Sequence, residues 1–177
     1  MWLIGGVAVC WTADMGGRPG GAFLRCADGK VRWGLFGAAG LLIRTPTMPV
    51  ANRPPWHFLL QLRSPRSHEG GTWAIPGGAL DEHETPESGA LREATEELGP
   101  LPGDLRVDGR YTDRLTTDWT YTTIIATVAE SFQPQLNWET TDTRWVTTAE
   151  IDHLSLHPAF ATSLPRLLPI ANLPPPP

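Results

Sequence analysis

Between Gly77 and Gly99 the chain reads GGALDEHETPESGALREATEELG, which crowds Glu93, Glu96 and Glu97 beside a single Arg92. Carboxylates at this density suit one chemistry well, because their hard oxygens ligate Mg²⁺ and similar divalent cations. On a helix, with Glu93 as origin, Glu97 falls about 40° to one side and Glu96 about 60° to the other. The three acids therefore share one edge, flanked by Arg92 roughly 100° away. Like charges at these spacings repel by a few tenths of a kcal/mol per pair, and no Lys stands where it could offset them. They also crowd the helix C-terminus, where the macrodipole disfavours anions. A cation would convert that repulsion into ligation. A merely solvated acidic face is the other reading that these small energies leave open.

The segment bearing the acids carries its own start and stop. Thr85-Pro86 supplies an N-cap and a proline at the first helical position, and Gly99-Pro100 supplies the matching stop, predicting a helix of about thirteen residues. Ala90, Leu91, Ala94 and Leu98 fall within an arc of roughly 100°, a small apolar stripe suited to close packing on a sheet. LFGAAGLLIR and WHFLLQLR read as buried strands, and GGTWAIPGG as a short strand entering a tight glycine turn. DWTYTTIIATVAE is β-branched and aromatic throughout, a shorter strand ends at RWV, and TTAEIDHL opens a helix with Thr147 and Glu150 in capping-box spacing. Strands mixed with a few helices give an α/β layered domain on a mixed sheet.

The spacing Gly78, five residues, Glu84, seven residues, then Arg92-Glu93-Ala94-Thr95-Glu96-Glu97-Leu98-Gly99 resembles the Nudix box, with every fixed position filled. Pro100 is a departure, since the last position of the box is normally aliphatic; a changed helix exit is expected there. The resemblance covers about residues 33 to 165. It implies a Nudix-type α/β/α sandwich around a mixed β-sheet, and hydrolysis of the diphosphate linkage in a nucleoside diphosphate derivative. It also implies Mg²⁺ or Mn²⁺ as cofactor. Glu93 is then a metal ligand and the catalytic base, Glu96 and Glu97 hold metal, and the carbonyl of Gly77 or Gly78 adds a ligand. Arg92 orients Glu93, while Gly78 and Glu84 shape the loop.

Outside the box, the resemblance points to Glu139, six residues before Trp145, as a further metal-binding carboxylate, with Glu130 as the other choice. It points to Arg63, at the end of FLLQLR, for substrate phosphates, and to His68 in the following loop for the base, a plain surface role being the other reading of each. Trp56, Trp73 and Trp145 fall on strands and are read as core. Trp33, Trp119 and Tyr121 are the candidates for a surface on which a base stacks. Subfamily tags are weak, and the substrate leans towards a free nucleoside or deoxynucleoside triphosphate. The competing class is a non-catalytic nucleotide-binding sensor on the same fold. A diphosphate isomerase would need a reactive Cys in the site and a degenerate box.

The 177 residues suit one domain with a real core, and the net charge of −5 without a basic run argues against a nucleic-acid partner. Cys10 and Cys26 make neither a disulfide framework nor a zinc motif, which points to the cytoplasm. The opening MWLIGGVAVCW lacks a basic start and is too short to span a bilayer, so no membrane role is expected. We expect an N-terminal extension over residues 1–31, a strand or a poorly ordered arm that also admits a homodimer. A Nudix hydrolase domain is expected over 32–168 and a proline-rich tail over 169–177.

Overall fold

The first long apolar run forms β5 (Ala38–Pro46), buried at every position, as a strand covered on both faces must be. Residues 20–47 and 55–175 are described in this computed structural model, together with the backbone of β1 (Leu3–Ile4) and β2 (Val7–Ala8), which pair antiparallel. Cys10 and the last two prolines lie outside the described residues. The main sheet also contains β6 (Trp56–Arg63), β7 (Trp73–Ala74), β8 (Gly77–Ala79), β9 (Arg106–Arg114), β10 (Thr120–Thr127) and β11 (Thr140–Val146). Its order is β11-β6-β5-β10-β9, with β7 on β6 and β8 on β5. β5 and β10 run parallel and the other pairs antiparallel, so the sheet is mixed.

Alternation along the strands feeds two cores. Leu41, Ile43, Leu59, Ile124 and Ala126 meet Ala90, Ala94 and Leu98 of α1 (Pro86–Leu98) on one face. Leu42, Phe58, Leu60 and Ile125 meet Ile151 of α2 (Thr148–Ile151) and Phe160, Leu164 and Leu167 of α3 (Pro158–Ala171) on the other. The result is an α/β/α sandwich. Trp56, Trp73 and Trp145 take the core positions expected of them. The expected helices are present, α1 with Thr85 as N-cap and α2 with the Thr147–Glu150 capping box.

Four features depart from the sequence reading. β9 is a charged edge strand, where solvent-facing charge is tolerated and discourages pairing with other chains. α3 forms despite Pro165 and Pro169, because Phe160, Leu164, Leu167 and Ala171 make a continuous buried stripe. The boundary expected after residue 168 therefore falls inside a helix. The boundary expected after residue 31 falls inside a hairpin of β3 (Phe23–Arg25) and β4 (Val31–Trp33), in which Arg25 pairs with Val31. That hairpin buries Leu24 and Cys26 against Ala38 and Trp119, and the Asp118 carboxylate accepts from Ala27 N–H.

Arg44 ties the far end of the molecule together. Its guanidinium lies over Trp56 at 4.1 Å, donates to Asp108 at 3.1 Å and Leu173 O at 2.6 Å, and bonds Ala171 O and Thr127. Both charged side chains are nearly fully buried. Arg44→Leu should cost about 3 kcal/mol in urea unfolding, because the buried charge of Asp108 is left with Arg106 alone to pair it and the end of α3 loses its donors. Arg44→Leu with Asp108→Leu should recover part of that loss; a double mutant as unstable as the single would show that the weakened pairing of Asp108 is not the cause.

Candidate active site

β8 carries the glycine turn against β5, opposite residues 38–40. Contact, rather than an unusual dihedral, demands glycine here. A Cβ on Gly77 would stand 2.4 Å from Ala39 O, and one on Gly78 only 2.6 Å from the Glu93 carboxyl carbon. The loop backbone and the helix carboxylates are thus in direct contact. Small Ala90 and Ala94, both fully buried, let α1 come this close.

Arg92 binds the loop to the helix. Its Nε and Nη2 donate to the two oxygens of Glu84 at 2.9 and 2.8 Å, Nη2 donates to Ala79 O at 3.0 Å, and Nη1 donates to Glu93 Oε1 at 2.7 Å. Glu96 lies 3.6 Å from the same guanidinium. Glu84 also accepts from Asp81 N–H at 3.0 Å, so it closes its own loop. These charge-assisted bonds, Glu84 foremost, push the Arg92 pKa up.

Glu97 points the other way and is only 3% exposed. Its Oε2 accepts from Gln61 Nε2 at 2.8 Å and Gly77 N–H at 3.0 Å. Gln61 is held in turn by Thr140 Oγ1 at 2.8 Å, which brings the start of β11 to the site. Burial pushes the Glu97 pKa up to about 8, against the two hydrogen bonds, and the charges of Glu93 and Glu139 add to the rise. The last carbonyls of α1 are satisfied by the segment before β11. Leu98 O accepts from Gln135 N–H at 2.7 Å, and Asn137 donates to Glu97 O and Glu96 O. Gly99, with φ of 78°, ends the helix before Pro100.

Tyr121 belongs to this site. Its hydroxyl fills the space over Gly40 and Gly77, and burial, then the charge of Glu97, raises its pKa. Arg63 and Glu93 also act on it electrostatically. Trp119 does not offer the stacking face expected of it. It is 7% exposed beneath the β3–β4 hairpin, donates to Gly34 O at 3.0 Å and has Arg32 over its ring. Trp33 packs edge-on against Phe23 at 4.9 Å. Arg63 donates to His68 O at 3.1 Å, and His68 is exposed.

Comparison with known proteins identifies the family. A family model described as NUDIX domain matches residues 41–167. The chain belongs to the Nudix family. It is 44% identical over 147 residues to a Mycobacterium tuberculosis protein named "Putative 8-oxo-dGTP diphosphatase 3", covering 79% of this chain and 65% of that protein. It is 37% identical over 152 residues to a Bifidobacterium longum protein named "Nucleoside triphosphate pyrophosphatase/Nudix hydrolase fusion protein", covering 84% of this chain. The chain spans less than two thirds of either relative's length, 65% of the first and 31% of the second. A crystal structure of a Nudix hydrolase from M. smegmatis, RenU, superposes with a TM-score of 0.73 at 40% identity, covering 84% of this chain and 93% of that one.

The Nudix carboxylates fit a divalent cation in donor chemistry: hard oxygens, crowded negative charge, and a glycine cradle against Glu93. Among the described residues, however, no three His, Cys, Asp or Glu side chains form a ready metal shell. Glu93 is turned to Arg92 and Glu97 to Gln61 and Gly77, while Glu96 stands more exposed at the outer edge. Glu139 does reach Glu97 electrostatically. Gln61 and Asn137 escaped the sequence reading. A polar residue on the α1 side of the apolar FLLQLR strand, two after Leu59, was the available signal for Gln61.

The folded pKa of Glu97 lies above its unfolded value, so the native state holds the extra proton between about 4.5 and about 8. Stability is therefore lost as pH rises through that window. Glu97→Gln keeps an oxygen for Gln61 and Gly77 but carries no charge. In metal-free buffer it should be more stable than the parent at pH 8, by on the order of a few kcal/mol, and no more stable near pH 4.5. Thermal unfolding across a pH series measures this, and a variant melting below the parent at pH 8 would refute it.

Proposed function

We propose that this chain is a metal-dependent pyrophosphohydrolase that cleaves a nucleoside or deoxynucleoside triphosphate to the monophosphate and pyrophosphate. The observation carrying this reading is the packing of Glu93 and Glu97 against the Gly77–Gly78 backbone, locked by Arg92 and Gln61. The name of the mycobacterial relative makes a triphosphate with an oxidised guanine the first substrate to test.

Glu93, Glu96, Glu97, Glu139 and the Gly77 carbonyl would hold Mg²⁺ or Mn²⁺. Such a cation neutralises phosphoryl oxygens and lowers the pKa of water. The chain's own residues supply the rest. Glu93 accepts the proton of the attacking water as its oxygen bonds to phosphorus and the bridging P–O bond breaks. Arg92 aims Glu93 by donating to Oε1. Glu84 holds Arg92 in place and thereby fixes the loop. Arg63, beside Tyr121, offers positive charge to the phosphate chain.

The test is a panel of nucleotides and nucleotide conjugates with Mg²⁺, with products identified by mass and pyrophosphate release followed. Hydrolysis of a triphosphate between the α and β phosphates is expected. Glu93→Gln should lower kcat by at least about 10³-fold, counting loss of the base together with a metal ligand. Binding of nucleotide without turnover by the parent would instead favour a sensor.

A further inference from the structure

The two oxygens of the Glu97 carboxylate have unlike surroundings. Oε2 accepts from Gln61 Nε2 at 2.8 Å and from Gly77 N–H at 3.0 Å. Oε1 accepts from no donor among the described residues, where no fully buried side-chain oxygen lacks a partner, so Oε1 opens at the surface. A backbone N–H can only donate, which makes Oε2 an acceptor and requires Gln61 to show it the amide nitrogen. The Gln61 carbonyl is thereby turned to Thr140, whose hydroxyl donates to it at 2.8 Å. Gln61, Glu97 and Thr140 are 1%, 3% and 4% exposed, so water does not stand in for a missing partner in this chain.

Thr140 reaches Gln61 through an irregularity in β11. Trp145 lies on the α1 face of the sheet, so strict alternation would put Thr143 and Thr141 on that face and Thr140 on the other. The register shifts between Thr140 and Asp142, with Thr141 as the extra residue, and the shift turns Thr140 towards Gln61. Glu139, one residue earlier, is fixed through its backbone. Its N–H donates to Asn137 Oδ1 at 2.8 Å, and its carbonyl accepts from Ser64 N–H at 2.7 Å. Asn137 donates in turn to Glu96 O at 2.9 Å. The start of β11 is thus bonded to residues 61–64 and to the end of α1 at once.

We propose that Gln61 and Thr140 are positioning residues, a directed hydrogen-bond chain that grips Glu97 by Oε2 and leaves Oε1 presented to a divalent cation. The proposal rests on the reading of these carboxylates as a cation site. Gly77 N–H alone would leave the carboxylate one bond about which to turn, and Gln61 is the second point that fixes its plane. A carboxylate already fixed loses little side-chain freedom when it becomes a ligand. The Thr140 hydroxyl makes no other bond as donor, and its effect on the cation passes through the Gln61 amide.

Titration with Mn²⁺ in the absence of nucleotide, with free Mn²⁺ read by electron paramagnetic resonance, tests this on the cation alone. Thr140→Val keeps the shape and removes the donor, and should weaken Mn²⁺ binding about tenfold, whereas Thr140→Ser should stay within about twofold of the parent. Gln61→Met combined with Thr140→Val leaves no orphaned amide in the buried chain. It should melt near the parent and still bind Mn²⁺ about tenfold more weakly. The Mg²⁺ concentration giving half-maximal turnover should rise in parallel. Mn²⁺ affinity equal to the parent's in the double variant, whatever its melting temperature, would reduce the chain to a structural role and overturn the proposal. Equal losses in Thr140→Ser and Thr140→Val would overturn it as well, since the hydroxyl would not be the cause. A parent that takes up no Mn²⁺ also rules it out. If the parent binds Mn²⁺ but hydrolyses no nucleotide, the function proposed above fails, while the Mn²⁺ titrations still decide for or against Gln61 and Thr140.

Discussion

The structure turns on one costly contact, the buried carboxylate of Glu97 between Gln61 and the amide of Gly77. An ionised group this deep is disfavoured by several kcal/mol unless hydrogen bonds or a counter-charge offset it. Two donors offset part of the cost, and the elevated pKa shows that they do not offset all of it. The remainder is what a divalent cation would relieve. Around this carboxylate four elements are brought into register. α1 supplies Glu97, β6 supplies Gln61, the β8 turn supplies the amide, and Thr140 of β11 holds Gln61 from behind. A stable fold alone would be better served by an apolar residue at position 97, so the strain is placed where it has chemical use.

The neighbouring carboxylates on the same edge of α1 meet a complementary problem. Glu84, Glu93 and Glu96 would repel one another across the helix edge, and Arg92 at their centre converts the repulsion into attraction. Its planar fork fits the Glu84 carboxylate with two bonds while a further nitrogen reaches Glu93, a geometry that an ammonium group could not reproduce. The carboxylates of this one edge are therefore held in unlike ways. One carboxylate is buried and held by neutral donors, and the others are partly wet and held by a cation. Burial raises the pKa of the first, which sets it apart from its neighbours on the helix.

What was legible in the sequence was what is encoded locally. Thr85-Pro86 and Gly99 bound α1 at the residues observed, since caps and helix periodicity act over a few positions. WHFLLQLR maps onto β6 for the same reason. β9 was hidden because an edge strand needs little apolar surface, and α3 because two prolines mask a stripe that repeats at Phe160, Leu164, Leu167 and Ala171. Trp119 shows the limit most clearly. Flanked by Thr117, Asp118, Thr120 and Tyr121 it reads as a surface aromatic, and only a hairpin drawn from residues 23–33 buries it. No local pattern carries that information.

The same contrast explains why family membership is plain and substrate choice is not. The box is one continuous stretch whose close contacts dictate residues, as the lack of room for a side chain on Gly77 against the β5 backbone shows. The groups that touch it come from segments far apart in the chain: Gln61 on β6, Tyr121 on β10, and Gln135 and Asn137 before β11. One contact even lies outside the region matched by the family model, since a Cβ on Gly20 would meet Leu80 O at 2.0 Å, so Gly20 packs on the box loop itself. Chemistry shared across a family can be written in a short motif because it depends on one helix and one turn. Specificity is distributed over loops whose only common property is where the sheet delivers them, and it can diverge without disturbing the carboxylates at the centre.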